Sequence, residues 1–320
     1  MISSSVEICA SALDLGEMAS GKTLPWPADI LSRYNVVGEI GAELRLAFDK
    51  KTGRKLAIKQ VRSNAPNIEN ILKEVNHSHV VVVKERVKVG QLWFVVMEFM
   101  EGGDLSRRVV QKKGMPEGLA KFYFYQMVLA VDYLHREEGL AHQNIKSRNV
   151  LLRSAEDYCL ARLADHGPSR ADARRDCRKL RDAWFYEAPE ARAPGPQRCP
   201  RRSDVYSLAV LLLECLAGRC WGNRIAVAYC LRCLDVSAPC KDLLRQMLVC
   251  EPDRRIDLRG VLRHEWLQDQ DMRRKVEQLT QACKPSALCV GPPRDRLASK
   301  RAVTFRLPAR AEGRARERLM

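Results

Sequence analysis

The chain has 320 residues, 46% of them hydrophobic, and carries 55 Lys and Arg against 39 Asp and Glu, a formal net charge of +16. That length allows one large two-lobed domain or two ordinary ones, and the apolar share excludes an intrinsically disordered chain. No stretch reaches the apolar length of a bilayer span, and the first twenty residues lack the basic start and apolar core of a secretory signal. The 12 scattered cysteines do not suggest a disulfide framework in a chain of this size, so a reducing compartment, cytoplasm or nucleus, is expected.

Residues 1–33 are expected to be a disordered leader, closed by Leu24-Pro25-Trp26-Pro27. Gly16 to Thr23 fits the phosphate-loop pattern G-x-x-x-x-G-K-[ST], but that pattern needs a buried strand before it and a helix after it. Asp14 stands in the first place, and Pro25 and Pro27 block the second. From Tyr34 the pattern changes. Residues 44–48 and 56–61 are rich in Val, Ile and Leu around Lys51-Thr52-Gly53, which predicts a hairpin. Residues 80–83 and 92–97 predict two more strands, with a helix over 68–75 before them.

After Gly102-Gly103 the strand character stops. Helices are predicted over 119–135, 204–216, 241–249 and 258–266, the second apolar nearly all round and therefore central. A short helix follows 268, and a Pro-, Arg- and Ala-rich basic tail, expected to be disordered, begins at 282. Strands first and helices second make an α+β chain: a small antiparallel sheet lobe with one helix at 34–101, and a larger helical lobe at 102–268, with a cleft between them. Cys230 and Cys233 form one C-x-x-C pair, which reads as half-buried thiols on a helix rather than as zinc ligands.

Several residues suited to phosphoryl transfer occur in order. Lys59 ends a strand, where a cation can bridge nucleotide phosphates. Asn149 closes the run His142-Gln143-Asn144-Ile145-Lys146-Ser147-Arg148-Asn149. Asp165, in Asp165-His166-Gly167, is a carboxylate in a tight turn, suited to magnesium. Ala188-Pro189-Glu190, Asp204 and Arg255 follow. Each is weak alone; six in sequence carry weight.

With these residues in place, 34–268 resembles a serine/threonine protein kinase domain of the checkpoint kinase kind, in the calcium/calmodulin-dependent kinase group. The segments 46–53, 97–105 and 122–135 carry the likeness. The resemblance implies the two-lobed kinase fold, with ATP and Mg2+ as cofactors. It puts Gly38, Gly41 and Leu44 over the nucleotide, Ala57 against adenine and Lys59 on the phosphates. Met97 is then the gatekeeper, Glu98, Phe99 and Met100 the hinge, and Leu151 the floor. Asn149 and Asp165 would hold the metal, Lys146 is the serine/threonine choice in the catalytic loop, and Glu190 with Arg255 braces the helical lobe.

The departures fall on chemistry. Kinases place Asp, the general base, where this chain has Asn144, and a carboxamide oxygen takes up no proton near pH 7. A positioned base contributes about 10²–10⁴-fold, so its loss predicts a pseudokinase; a weakly active serine/threonine kinase is the alternative. Gln143 replaces the Arg that pairs with a phosphorylated activation loop, and the only hydroxyl residues between Asp165 and Ala188 are Ser169 and Tyr186. His166 replaces a Phe and Ala183 a Thr. Gly38 to Glu43 keeps two glycines of three. Eight residues separate Lys59 from Ile68, which puts Ile68 at the expected glutamate position, with Glu69 and Glu74 nearby. The segment 218–237 is short for the region that carries a substrate-docking helix. The basic stretch 170–202 is expected to dock an acidic or phosphorylated protein partner; aromatic residues do not interleave with it, so nucleic acid is not expected.

Overall fold

The computed structural model describes residues 26–41, 43–63, 73–165, 185–192, 199–218 and 230–283. Its first lobe is a five-stranded antiparallel sheet in the order β1-β2-β3-β5-β4. The strands are β1 (Tyr34–Gly41), β2 (Leu44–Asp49), β3 (Lys55–Arg62), β4 (Val83–Val89) and β5 (Leu92–Glu98). The β2–β3 turn forms where predicted. Asp49 Oδ1 accepts from the amides of Lys51 and Thr52 at 2.8 and 3.0 Å, and Gly53 takes φ +67°, which a side chain would resist.

Period-two alternation gives the sheet two apolar faces. Ala47, Leu56, Ile58, Phe94 and Val96 form one core, which also holds Ile30 and Tyr34. Val61, Trp93 and Val95 form the other, with Val83 and Met97 against them. Ile30 belongs to a short helix, α1 (Ala28–Arg33), that the expected disordered leader did not allow for. Pro27 starts this helix instead of preventing it: its carbonyl accepts from Ile30 and Leu31, and a proline in front of a first turn gives up no helical hydrogen bond. Ile30 is 0% exposed, and the Trp26 ring lies 5.4 Å from Phe94. Residues 26–33 are thus part of the sheet lobe.

Two further expectations need correction. Only Val83 of the run 80–83 lies in β4. Val80 forms an isolated bridge to Leu163, and Val81 donates to the Leu163 carbonyl at 3.0 Å, so the run lines the second lobe. The predicted helix over 68–75 falls mostly outside the described residues. Its described end, 73–75, is not helical; the Lys73 carbonyl accepts instead from the buried Arg86 guanidinium at 2.8 Å.

The second lobe contains α2 (Leu105–Lys112), α3 (Glu117–Arg136), a two-stranded sheet of β6 (Val150–Leu152) and β7 (Ala161–Leu163), α4 (Pro189–Arg192), α5 (Pro200–Ala217), α6 (Ala238–Met247), α7 (Leu258–Arg263), a 3-10 turn (Glu265–Leu267) and α8 (Gln270–Ala282). Helices α3 and α5 run through its apolar core, and α5 is buried on every side along most of its length. The predicted brace forms: Arg255, 1% exposed, donates to both carboxylate oxygens of Glu190 at 2.7 and 2.9 Å. Among the described residues no helix is long and apolar enough to cross a membrane.

Candidate nucleotide cleft and its neutral catalytic loop

Strand register brings the roof of the cleft together. Leu44 pairs with Lys59 and Lys59 with Val95, while Leu46 pairs with Ala57 and Ala57 with Met97. Leu44, Ala57, Lys59 and Met97 therefore share one sheet face. Gly38 and Gly41 lie on β1, which shifts register beside each of them. Arg45, which the sequence reading missed, reaches back from β2 to the Gly41 carbonyl at 3.3 Å and pairs with Glu39.

The hinge follows β5. Met100 is buried, and Gly102 donates its amide to the Leu152 carbonyl at 2.9 Å. A Cβ at Gly102 would lie 2.2 Å from the Ser154 carbonyl oxygen, so only glycine lets the hinge pass this close to β6. Leu151, on β6, sits between a bridge to Asp104 and its β7 partner Arg162. The Glu98 side chain turns away from the cleft: Oε1 accepts from the Val82 amide at 2.7 Å and from Arg162 at 2.6 Å. Only its backbone is placed to meet a nucleotide.

The catalytic-type loop is held from below. Asp204, 0% exposed on α5, accepts from the amides of His142 and Gln143 at 2.7 Å each, and His135 Nε2 lies 2.8 Å from it. Gln143 takes φ +58°, a turn these two bonds fix. His142 Nε2 lies 3.1 Å from the Ala164 carbonyl, which can only accept, so Nε2 carries the proton and Nδ1 accepts from the Asn144 amide at 3.2 Å. The Asn144 side chain donates Nδ2–H to the Asp165 carbonyl at 3.3 Å. Asn149 donates Nδ2–H to the Asn144 carbonyl at 2.8 Å, which leaves its Oδ1 as the atom for a cation.

Lys59 Nζ and Asp165 Oδ1 are 2.7 Å apart, their side chains 23% and 38% exposed. Burial works against the Asp165 charge. Lys59, and behind it Lys146 and His142, outweigh that and hold the carboxyl below its ordinary pKa. Asp165 itself takes φ +58°. An anionic oxygen, an amide oxygen and an ammonium at one end of the cleft fit the needs of an ATP–magnesium complex: hard oxygens for the metal, a cation for phosphate. Glu74 is exposed and outside any helix, Glu69 lies outside the described residues, and Asp165 is the anion beside Lys59.

The expected roles of His166 and Ala183 fall outside the described residues, as does most of the basic stretch 170–202. Within it, Arg202 is used structurally, donating to the Arg255 carbonyl while Arg255 returns a bond to the Arg202 carbonyl. Tyr186 is buried, with its hydroxyl on Ser147 and Glu214. Besides Arg45, the sequence reading missed Arg162; a lone cation among Leu160, Ala161, Leu163 and Ala164 was its only signal.

A sheet lobe over a helical lobe, with Lys59, Asn149 and Asp165 meeting above a clamped loop, is the architecture of a protein kinase. The chain belongs to that family: the protein kinase domain model matches residues 37–267. Over 299 residues it is 30% identical to the ovarian-specific serine/threonine-protein kinase Lok of Drosophila melanogaster, covering 82% of this chain and 62% of that protein. It is 32% identical over 246 residues to the human serine/threonine-protein kinase ULK3, covering 69% of this chain and 51% of that protein. The chain thus spans between half and two thirds of the length of these relatives. Among solved structures, Rad53 residues 1–466 in complex with AMP-PNP superposes with a TM-score of 0.62 at 22% identity, covering 74% of this chain and 66% of that one, a likeness of fold. The chain is a protein kinase domain similar in sequence to serine/threonine-protein kinases.

Proposed function

We propose that the chain is a pseudokinase: a kinase domain that binds ATP–magnesium in its cleft and acts by regulating or scaffolding a protein partner rather than by turning over substrate. One observation carries the reading. Asn144 stands at the base position as a hydrogen-bond donor, its Nδ2–H committed to the Asp165 carbonyl. A neutral amide has no basic oxygen for a substrate hydroxyl proton, so the loop aims a group that cannot do the chemistry. Bound magnesium would supply charge neutralisation between phosphate oxygens, and Asn149 and Asp165 are the residues to hold it. Lys59 would hold the phosphates, and Leu44, Ala57, Met97, Met100 and Leu151 would enclose the base. An acidic or phosphorylated protein in cytoplasm or nucleus is the partner class the net charge of +16 favours.

A second reading is a weakly active serine/threonine kinase. Its support is the same trio, Lys59, Asn149 and Asp165, because phosphoryl transfer rests largely on positioning and electrostatics. Melting the purified protein with ATP, with and without magnesium, tests the cleft. At a hundredfold excess over Kd the ligand adds about 2.7 kcal/mol, an upward shift of roughly 5–10 °C for a domain of this size. No shift at saturation would remove both readings. Sustained multiple-turnover transfer to a serine peptide by the native chain would replace the first with the second.

A further inference from the structure

Beside the hinge lies a buried polar cluster that the nucleotide reading does not use. At its centre is Arg162, 2% exposed in the middle of β7. One Nη donates to Glu98 Oε1 at 2.6 Å, and the other reaches the Cys283 carbonyl, at the C-terminal end of α8, at 3.4 Å. Glu98 Oε1 also accepts the Val82 amide, and the Glu98 amide returns a bond to the Val82 carbonyl at 3.1 Å. A second bond ties the same helix end down: Thr280 Oγ1 lies 3.2 Å from His79 Nε2, and His79 Nδ1 lies 3.2 Å from the carbonyl of Ala161, next to Arg162.

Two features make this more than filling. Arg162 Nε is buried and has no hydrogen-bond partner among the described residues. A guanidinium kept in the interior with one donor unmet is poor for stability, where a Met or Leu of similar volume would serve better. Its placement is also specific: Arg162 is the cross-strand partner of Leu151, the floor of the cleft, and its carboxylate partner is the first hinge residue. The carbonyl end of a helix carries partial negative charge and suits a cation. One side chain thus joins floor strand, hinge and the end of the last described helix.

We propose that Arg162 is a positioning residue for the hinge, and that the end of α8 is its second anchor, so that seating of α8 and occupancy of the cleft are coupled. The coupling to nucleotide rests on the reading of the cleft as an ATP site; the mechanical part, Arg162 to hinge and helix end, does not. Removing the guanidinium leaves Glu98 held by Val82 alone and loosens the hinge with it. Loosening α8 withdraws the Cys283 carbonyl and leaves Arg162 held from one side.

Hydrogen exchange on the full chain tests both parts. Without ligand, Arg162→Met is expected to quicken exchange at the hinge (97–103) and at the α8 end (277–283) by about tenfold or more, with α3 and α5 unchanged. Quickening confined to the α8 end makes Arg162 a mere tether and overturns the proposal, as does no change at either. If Arg162→Met fails to fold, Thr280→Val loosens the helix end without touching a charge; the hinge must quicken with it, and an unchanged hinge overturns the proposal. Adenosine, which has no phosphates, is then added to the native chain and is expected to slow both segments. A slowed hinge with an unmoved α8 end refutes the coupling. No protection anywhere refutes the nucleotide reading instead, and the ligand-free comparison still decides the role of Arg162.

Discussion

Asn144→Asp puts the central claim to its hardest test. In the native chain Nδ2–H faces the Asp165 carbonyl at 3.3 Å; in the variant a carboxylate oxygen faces that carbonyl, acceptor against acceptor. Losing the bond and opposing two oxygens costs about 1–2 kcal/mol, a drop in Tm of a few degrees. The gain is chemical. A base restored to a loop whose backbone Asp204 already fixes should recover much of the usual 10²–10⁴-fold, or about 3–5 kcal/mol of barrier. The assay is phosphate transfer from ATP–magnesium to a basic serine peptide, followed over many turnovers. Native chain, Asn144→Asp and Asn144→Asp with Lys59→Met are compared. Background, a rise of at least about a hundredfold, and background again are expected. Native turnover at the rate of the Asp variant, lost with Lys59→Met, would falsify the pseudokinase reading.

Other outcomes follow from the geometry. Lys59→Met removes the 2.7 Å partner of Asp165; because that pair is partly open to solvent, stability should change by less than about 1 kcal/mol while the ATP-induced rise in Tm disappears. Arg255→Met leaves the mostly buried Glu190 carboxylate with the Ser203 hydroxyl but without the Arg255 countercharge, a loss of about 3–5 kcal/mol in urea denaturation; an effect under about 1 kcal/mol would show that the brace is idle. Ile30→Ala opens a hole in the sheet-lobe core and should cost about 2–4 kcal/mol, whereas a disordered leader would show nothing. Burial, with the Arg162 cation nearby, depresses His79 to about 4, against an ordinary 6.5. The unfolded chain therefore takes up a proton below pH 6.5 that the folded chain refuses, and stability falls as pH drops from 6.5 towards 4, by up to about 3 kcal/mol from this residue. Denaturation curves across that range should be flatter for His79→Asn, and an unchanged slope would refute the assignment.

What the sequence disclosed tracks where local pattern and final environment agree. β2, β3 and β5 announce themselves because their alternation matches a sheet with two apolar faces. Helix α3 does so because its apolar residues recur at helical intervals on the buried face, and α5 because its apolar content matches burial along most of its length. The run at 80–83 misled because four valines look alike whether they pair in a sheet or line the top of another lobe; here Leu163 decides, a residue 83 positions after Val80. α1 was hidden because Pro25 and Pro27 read as a stop when Pro27 is a start. In the cleft, the residue types of Lys59, Asn149 and Asp165 were visible in order and converge. Arg162, Arg45 and the outward turn of Glu98 were not, since each depends on a partner brought in by tertiary packing.

The Asp204 clamp has a broader meaning. Because a carboxylate on a buried helix grips the loop by the main chain of His142 and Gln143, the curve leading into Asn144 does not depend on the side chain it displays. Form and reactivity are separable in this protein: lineage drift, or an engineer, can exchange the displayed group while its aim stays the same, which makes position 144 an interchangeable fitting on a fixed mount.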